Sequence, residues 1–256
     1  MSRKLVAALA CRANGSRLYG KPLQNLYADV TILDQIVAAI HEFEFIDDIV
    51  LGISEGSENL VFIDKAHKLN CRYIVGDPID VLSRLVSCGR HVNATDVFRV
   101  TTECPWFDYS MLETAWRQHV DGGYDISVLD HVPEGAGFEI YTLNSLERSH
   151  EEGLDDDRSE FCSNYARFNQ ERFKINILKP EEICRRLDYR LTVDYPEDLV
   201  VCRKIYHNFK GHAPLVALKD IIKYLDEQPE LMDMLSPYID QQPVWDGQPQ
   251  RMAQRR

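Results

Sequence analysis

Two glycines and three basic residues are concentrated in one short segment near the start of the chain. The segment spans residues 10–23 and follows an apolar run at 5–9 that predicts a buried strand. The five residues are Gly15, Gly20, Arg12, Arg17 and Lys21. Glycine lets a backbone turn tightly, and successive backbone N–H groups in such a turn form a concave anion site. With three positive side chains added, this segment predicts a site for a polyphosphate; its residues 12–23 are called the first loop below.

The first loop also matches the beginning of a different phosphate-binding motif. Residues 15–21 fit the G-x-x-x-x-G-K pattern of a P-loop, but Pro22 stands where a P-loop has a Ser or Thr whose hydroxyl binds Mg²⁺. A P-loop also needs a helix that begins at the lysine, and residues 25–29 are not typical of a helix interior. We therefore favour a basic phosphate loop of another kind over a P-loop and over a solvated surface turn.

Carboxylates are expected near a polyphosphate site, because Mg²⁺ binds through one or two of them and through phosphate oxygens. Glu103 follows one predicted strand, and Asp194 follows another and precedes a helix that Pro196 opens. Considered singly, Asp194 suits a helix cap and Glu103 an exposed loop. Their shared position at strand ends favours both as metal ligands, whereas the acidic run at 155–157 is typical of a solvated loop.

Strands and helices alternate along the first two-thirds of the chain, which predicts βαβ units and a mainly parallel sheet. The predicted strands lie at residues 4–10, 48–53, 72–75, 96–100, 125–129, 138–141, 173–178 and 190–193. The predicted helices begin near residues 31, 57, 79, 108, 196 and 214, the first capped by Thr31 or Asp29. Ligands of such sheets bind beyond the carboxyl ends of the strands, where the first loop and residues 101–105 both lie.

Composition limits the class of protein. The chain has 256 residues and a formal net charge of −12, whereas a duplex-binding protein usually has a basic face, so no nucleic-acid partner is expected. No stretch is long and apolar enough for a membrane span and no cleavage signature is present, so a cytoplasmic protein is expected. Seven cysteines without a C-x-x-C pair argue against a disulfide framework and a structural zinc site. Cys11 and Cys104 adjoin the candidate site, but no base lies near them in sequence.

Four motifs, in the same order along the chain, resemble those of the cytidylyltransferase family that contains CMP-sugar-acid synthetases and spore-coat polysaccharide cytidylyltransferases. Residues 12–21 are similar to the family's R-x-x-S-x-R-L-P-G-K loop and residues 76–84 to its G-x-x-x-D-V-L-x-R. Residues 99–105 are similar to R-x-T-G-D-C-P and residues 190–198 to R-L-T-V-D-x-P-E-D. The resemblance extends to about residue 210 and is closer to the spore-coat branch.

Two positions depart from the family pattern. The family's Gly-Asp before Cys-Pro is Thr102-Glu103 here, which keeps the charge but places the carboxylate one methylene further from the backbone. The proline of the family's first loop is Tyr19. The first departure bears on the geometry of a metal site.

The element pattern and the resemblance together predict an α/β fold with a Rossmann-like, mainly parallel sheet flanked by helices and a smaller mixed α+β insertion. We expect one nucleotidyltransferase domain over residues 1–240, with an acceptor or dimerisation subregion at about 132–180. The polar residues 241–256 are expected to be a mobile tail. Members of the family are often dimers, and the apolar segments at 138–141 and 173–178 suit either a subunit interface or ordinary core strands.

The resemblance implies transfer of a cytidylyl group from CTP to an acceptor, with release of pyrophosphate, Mg²⁺ as cofactor and a role in polysaccharide biosynthesis. Lys21, Arg17 and Arg12 would neutralise the triphosphate, and Glu103 and Asp194 would hold the metal. Backbone N–H groups of residues 13–16 would cradle phosphate oxygens. The full set of nucleotide-binding candidates is Ala10, Cys11, Ala13, Asn14, Gly15, Ser16, Asp80, Arg84 and Thr101. The acceptor-binding candidates are Glu139 and Arg190.

The sequence does not name the acceptor. No general base is evident, and a phosphate acceptor needs none, because its second pKa is about 6 and it is mostly dianionic at neutral pH. This favours a sugar phosphate or an amino-acid phosphate such as phosphoglutamine over a sugar acid. The alternatives are a CMP-sugar-acid synthetase, a nucleotide-sugar glycosyltransferase that uses the acidic run at 155–157, and a non-catalytic nucleotide-binding protein.

Overall fold

The computed structural model describes residues 3–15, 17–159, 162–239 and 245. Within this part of the chain, a seven-stranded sheet and a two-stranded sheet are formed. Their strands are β1 (Leu5–Cys11), β2 (Asn25–Tyr27), β3 (Val30–Thr31), β4 (Ile46–Ser54), β5 (Arg72–Gly76), β6 (Asp96–Arg99), β7 (Ile126–Leu129), β8 (Phe138–Thr142) and β9 (Ile175–Leu178).

The large sheet is mainly parallel, as the alternation of elements predicts. Its strand order is β5-β4-β1-β6-β8-β7-β9. Strand β1 pairs in parallel with β4 and β6, whereas β8 runs antiparallel to both of its neighbours, β6 and β7. The carboxyl ends of β4, β1 and β6 therefore lie side by side at one edge of the sheet, where a ligand site is expected.

Helices cover both faces of the sheet. They are α1 (Ile32–His41), α2 (Val61–Lys68), α3 (Val81–His91), α4 (Leu112–Gly122), α5 (Leu143–Glu152), α6 (Asp155–Arg158), α7 (Asn164–Phe168), α8 (Pro196–Phe209), α9 (Leu218–Asp226) and α10 (Pro229–Leu235). The first of them begins at a capping box, in which Thr31 Oγ1 accepts from the Asp34 N–H and the Asp34 carboxylate accepts from the Thr31 N–H. The predicted cap at Thr31 is therefore confirmed.

Alternate residues of β1 pack into two separate hydrophobic clusters. Leu5 and Leu9 lie in the cluster that includes residues of α1, α8 and α9, whereas Val6 and Ala8 lie in the cluster that includes residues of α3 and α5. All four side chains are fully buried. Strand β1 is thus covered on both faces, which explains its continuous apolar sequence and fixes the position of the first loop that follows it.

Two predicted elements differ in the structure. Residues 190–193 do not form a strand: Arg190 makes an isolated parallel bridge to Glu134, and the Val193 N–H donates to the Glu103 carbonyl of a loop. The helix expected from residue 214 begins at Leu218, because the Pro214 carbonyl accepts from the Gln35 side chain and not from a helical N–H. Both errors come from long-range partners that a local pattern does not contain.

The apolar segment at 138–141 is a core strand, because β8 lies between β6 and β7 inside the sheet. The segment expected at 173–178 is strand β9, which begins at Ile175 and lies at the sheet edge. None of the seven cysteines forms a disulfide, and all but Cys71 are buried. Among the helices described, none has both the length and the apolar character needed to cross a membrane.

Candidate active site

Three segments that are distant in sequence meet at the carboxyl edge of the sheet. The Thr102 hydroxyl donates to the carbonyl of Ala10 at 3.0 Å, which joins the segment after β6 to the end of β1. The Val193 N–H donates to the Glu103 carbonyl at 2.9 Å. Glu103 and Asp194, 91 positions apart, are therefore held on adjoining stretches of backbone, beside the first loop.

Asp194 is the point at which the first loop contacts the rest of the site. Its Oδ1 accepts from Lys21 Nζ at 2.6 Å and from Arg17 Nη2 at 3.3 Å. Arg17 also donates to the Tyr195 hydroxyl at 3.0 Å, and its guanidinium lies 4.8 Å from the centre of the Tyr195 ring. Two cations predicted to bind a triphosphate are thus brought to one of the predicted metal ligands.

The two candidate metal ligands are in opposite electrostatic situations. Burial raises the pKa of Glu103, and the charge of Asp194 adds to that effect against the opposing influence of Lys21. Burial works in the same direction on Asp194, but Lys21, Arg190 and Arg17 outweigh it and hold the pKa of Asp194 below its usual value. A neighbouring pair of carboxylates, one of them hard to ionise, is a donor set that suits a divalent cation.

Asp198, and not Asp194, supplies the cap of helix α8. One of its carboxylate oxygens accepts from the backbone N–H groups of Asp194 and Tyr195, both at 2.8 Å. The capping role that the sequence offers for Asp194 therefore belongs to the residue four positions later. Asp194 keeps its carboxylate for the three cations around it.

Arg190 is buried and surrounded by acids. Its guanidinium donates to Asp198 at 2.9 Å and also bonds Glu134 and Asp194. Residue Arg190 is only 2% exposed. The prediction that it binds the acceptor remains a prediction, but its contacts are those of a residue that positions Asp194.

The first loop is fixed by contacts that the sequence did not reveal. The Ala13 N–H, expected to cradle phosphate, donates to the side chain of buried Asn59 at 2.7 Å. Asn14 donates to Glu58 at 2.9 Å. A Cβ at Gly15 would lie 2.4 Å from the Leu18 carbonyl oxygen, so the turn requires glycine there. Asn59 is not part of a recognisable sequence motif, so only the structure identifies it as a residue that holds the first loop. Ser16 lies outside the described residues.

The remaining nucleotide-binding candidates lie along the same edge or just beneath it. Ala10 and Cys11 end β1, and Arg12 is exposed at the start of the first loop. Thr101 is partly buried, two residues after the end of β6. Asp80 caps helix α3 through the Ser83 N–H and contacts His150 at 2.8 Å. Arg84 is buried, with Nη1 donating to the carbonyls of Cys11 and Gly52.

The acceptor candidate Glu139 lies on β8 in a buried polar cluster. Its carboxylate accepts from Arg99 at 2.7 Å, from the Tyr141 hydroxyl at 3.1 Å and from the indole N–H of Trp245 at 3.0 Å. Trp245 is 3% exposed, and its backbone N–H donates to Asp130 at 2.7 Å. The expected mobile tail at 241–256 lies outside the described residues except at Trp245, where the expectation is wrong, because this side chain is packed in the core.

Two other candidate features are accounted for by ordinary structure. Asp157 of the acidic run is buried and accepts from the Leu154 N–H, whereas Asp155 and Asp156 are exposed on α6. Burial raises the pKa of the Cys104 thiol to about 12, and it also raises the pKa of the Cys11 thiol. Neither thiol is therefore poised as a nucleophile. No group of three or more His, Cys, Asp or Glu side chains suited to a metal is found in the described ranges.

A cleft lies on the β4 side of the sheet edge, next to the residue that holds the first loop. This cleft of 330 Å³ lies at the carboxyl end of β4 and β5, with Asn59 and Val75 among its lining residues. Asn59 is the side chain that holds Ala13. The cleft and the first loop are therefore linked through Asn59.

Known proteins share both the sequence pattern and the fold. No protein-family model matches the chain. It is 26% identical over 227 residues to the spore coat polysaccharide biosynthesis protein SpsF of Bacillus subtilis, covering 87% of this chain and 94% of that protein. The resemblance to the cytidylyltransferases, on the spore-coat side of the family, is confirmed.

Solved structures establish the fold. A cytidylyltransferase from Leptospira borgpetersenii superposes with a TM-score of 0.81 at 22% identity, over 94% of this chain and 99% of that one. A CMP:2-keto-3-deoxy-manno-octonic acid synthetase complexed with CTP superposes with a TM-score of 0.62 at 13% identity, over 80% of this chain and 99% of that one. The chain therefore has the α/β nucleotidyltransferase fold over nearly its whole length.

Proposed function

We propose that this protein is a cytidylyltransferase that moves a cytidylyl group from CTP to a phosphorylated small molecule and releases pyrophosphate. The observation that carries the proposal is the contact of Lys21 and Arg17 with Asp194 on backbone that adjoins Glu103. Nucleotidyl transfer is mostly positioning and charge stabilisation, and it needs cations and metal-binding carboxylates in one place. The similarity to SpsF and to a synthetase that binds CTP supports the choice of nucleotide.

In this proposal the cations of the first loop bind the triphosphate. Lys21 and Arg17 exchange their contacts with Asp194 for phosphate oxygens, and exposed Arg12 assists at the other end of the loop. Glu103 and Asp194 would hold Mg²⁺, which when bound neutralises the phosphate and the leaving oxygens. Arg190 keeps the Asp194 carboxylate in place through its own bond to Oδ2.

The acceptor would attack from the side of Arg99 and Glu139. An acceptor phosphate is already mostly dianionic at neutral pH and needs no general base, because its second pKa is about 6. The positive charge of Arg99 is close enough to Glu103 to favour its ionisation. The Arg99 side chain is partly exposed, so it suits an anionic acceptor. The product would then be a CDP-linked sugar or amino acid, as a building block of surface polysaccharide.

The test is a matrix of donors and acceptors. The protein is incubated with Mg²⁺, each of the four nucleoside triphosphates, and a panel of sugar phosphates, phosphoglutamine and sugar acids, and pyrophosphate and product mass are measured. We expect release with CTP and a phosphorylated acceptor, with a product heavier than the acceptor by one cytidylyl group. Release with a sugar acid alone would indicate a CMP-sugar-acid synthetase instead. Binding of CTP without release, in any combination, would indicate a non-catalytic protein.

A further inference from the structure

Arg84 is a buried cation to which the described residues supply no acidic partner. The residue is 1% exposed on helix α3. Its Nη1 donates to the Gly52 carbonyl at 2.9 Å and to the Cys11 carbonyl at 3.2 Å, and its Nε has no partner. Neutral carbonyls satisfy part of its hydrogen bonding, and the nearest opposing charge, that of Asp77, acts on it without forming an ion pair.

The sheet is built to admit this side chain. A Cβ at Gly76 of β5 would lie 3.0 Å from Arg84 Cγ, which is closer than ordinary contact, whereas one at Gly52 of β4 would press mainly on Cys88 Sγ at 3.1 Å and lie at an ordinary 3.5 Å from Arg84 Cβ. Both glycines have ordinary backbone angles, because neither is among the glycines with positive φ. The missing side chain at Gly76 therefore provides space for the arginine and is not needed to form a turn.

A buried charge without a partner is costly, and proteins normally pair it or replace it by an apolar residue. Burial lowers the pKa of Arg84, and the nearby charge of Arg12 acts in the same direction, whereas the charge of Asp77 opposes both without outweighing them. Arg12 belongs to the first loop, and Arg84 holds the carbonyl of Cys11 just before that loop. A strongly negative ligand on the first loop would compensate both charges at once.

We propose that Arg84 is a positioning residue of the triphosphate site, whose buried charge, not paired directly with any described carboxylate, is balanced more fully when nucleotide phosphates occupy the first loop. It acts through the low-dielectric interior and through the Cys11 carbonyl, and not by touching the base, because almost none of its surface is exposed. This inference rests on the proposed function, since the ligand is taken to be CTP. The contribution of Arg84 to nucleotide affinity increases with the negative charge of the nucleotide.

The test compares Arg84→Met with Arg84→Lys and with Arg90→Met. Arg90 lies on the same helix with an exposed side chain paired to Glu147, so it is a matched control. Affinities for CTP, CDP and CMP are measured by calorimetry with Mg²⁺ present, and thermal unfolding is measured without nucleotide.

We expect Arg84→Met to lower the affinity for CTP by roughly tenfold or more, with a smaller loss for CDP and the smallest for CMP. Without nucleotide, its unfolding temperature should equal or exceed that of the parent protein, because a buried charge without an ion-pair partner has been removed. Arg84→Lys should keep most of the CTP affinity, and Arg90→Met should match the parent in both measurements.

An equal loss for the three nucleotides, or a lower unfolding temperature with unchanged CTP affinity, would overturn the inference and leave Arg84 a structural residue. If Arg84→Met does not fold, Arg84→Gln is measured instead, because it removes the charge but keeps a donor for the carbonyls. A CTP affinity equal to that of the parent protein in Arg84→Gln would overturn the inference. Failure of the parent protein itself to bind CTP would overturn the proposed function as well, so the two failures are distinguishable.

Discussion

At the residue scale, Glu103 and Asp194 are similar in chemistry but differ in what stabilises their charges. Asp194 has three cations around its carboxylate, whereas Glu103 is partly buried, and Lys21 is the first-loop cation that favours its ionisation. The sequence predicts that both residues belong to one site. It does not predict this asymmetry, because Arg190, Arg17 and Lys21 reach Asp194 only in the folded chain.

The asymmetry predicts opposite effects on stability in metal-free protein. The folded pKa of Asp194 is lowered, so its stabilisation is present above the unfolded pKa and is lost as pH falls through the folded value. The folded pKa of Glu103 is raised, so its ionisation destabilises the fold at neutral pH, and this penalty disappears in acid. We expect Asp194→Asn to lower the unfolding temperature at pH 7 and Glu103→Gln to raise it.

Thermal unfolding with a chelator at pH 7 and at pH 4 measures this. The Glu103→Gln difference should largely disappear at pH 4, which lies below the ordinary glutamate pKa of 4.5, whereas the Asp194→Asn difference should persist at pH 4 and shrink only as pH falls below the ordinary aspartate pKa of 3.8. An equal decrease in the unfolding temperature of both variants at pH 7 would show that the surroundings of the two carboxylates do not act on their charges in opposite directions.

The same two residues should be essential for turnover. Glu103→Gln and Asp194→Asn are each expected to lower kcat by about 10²-fold or more, because each removes a ligand or a charge that acts in the transition state. Asp156→Asn is the control, since Asp156 is exposed in the acidic run and should leave kcat unchanged. Loss of activity in the control, with activity kept in the other two variants, would favour the glycosyltransferase alternative.

At the element scale, the start of helix α8 joins the sheet edge to the first loop. Arg190 bonds Glu134, Asp194 and Asp198, and Asp198 in turn caps the helix. The sequence predicts the helix and its first residue correctly, from Pro196. It misplaces a strand over residues 190–193, because an apolar pattern does not show that the backbone bonds lead to loops.

We expect Arg190→Met to destabilise the fold by about 3–5 kcal/mol, because it leaves buried carboxylates without their cation. Arg185→Met is the matched control: Arg185 is 43% exposed and pairs with Glu182 one turn away, so its loss should change the free energy of unfolding by less than about 0.5 kcal/mol. Urea unfolding measures both. A change in Arg190→Met as small as that of the control would show that its ion pairs are not formed in solution.

At the scale of the whole molecule, the first two-thirds of the chain follows its sequence pattern closely, and the last third depends on distant partners. Strands β1, β4, β5 and β6 lie within two or three residues of their predicted positions. The burial of Trp245 against β7 and β8 was not predictable, because the residues around it are polar and rich in proline and glycine. Asn59 is a similar case within the site, since nothing in its local sequence points to Ala13.

Trp245 should therefore contribute to the stability of the whole domain. Trp245→Ala is expected to cost about 3–5 kcal/mol, the usual range for a large buried aromatic side chain. Trp245→Phe keeps most of the packing and loses the bond to Glu139, which should cost about 1 kcal/mol. The measurement is the free energy of unfolding in urea. An unchanged value for Trp245→Ala would mean that this side chain does not pack against Glu139 in solution.

The central claim is that the first loop and two distant carboxylates form one site for a magnesium-bound triphosphate. A crystal structure of the protein with CTP and Mg²⁺ tests it most directly. We expect the metal within about 2.1 Å of oxygens of Glu103 and Asp194, and Lys21 and Arg17 on phosphate oxygens. A nucleotide bound away from the first loop, or a metal held by the acidic run at 155–157, would contradict the account.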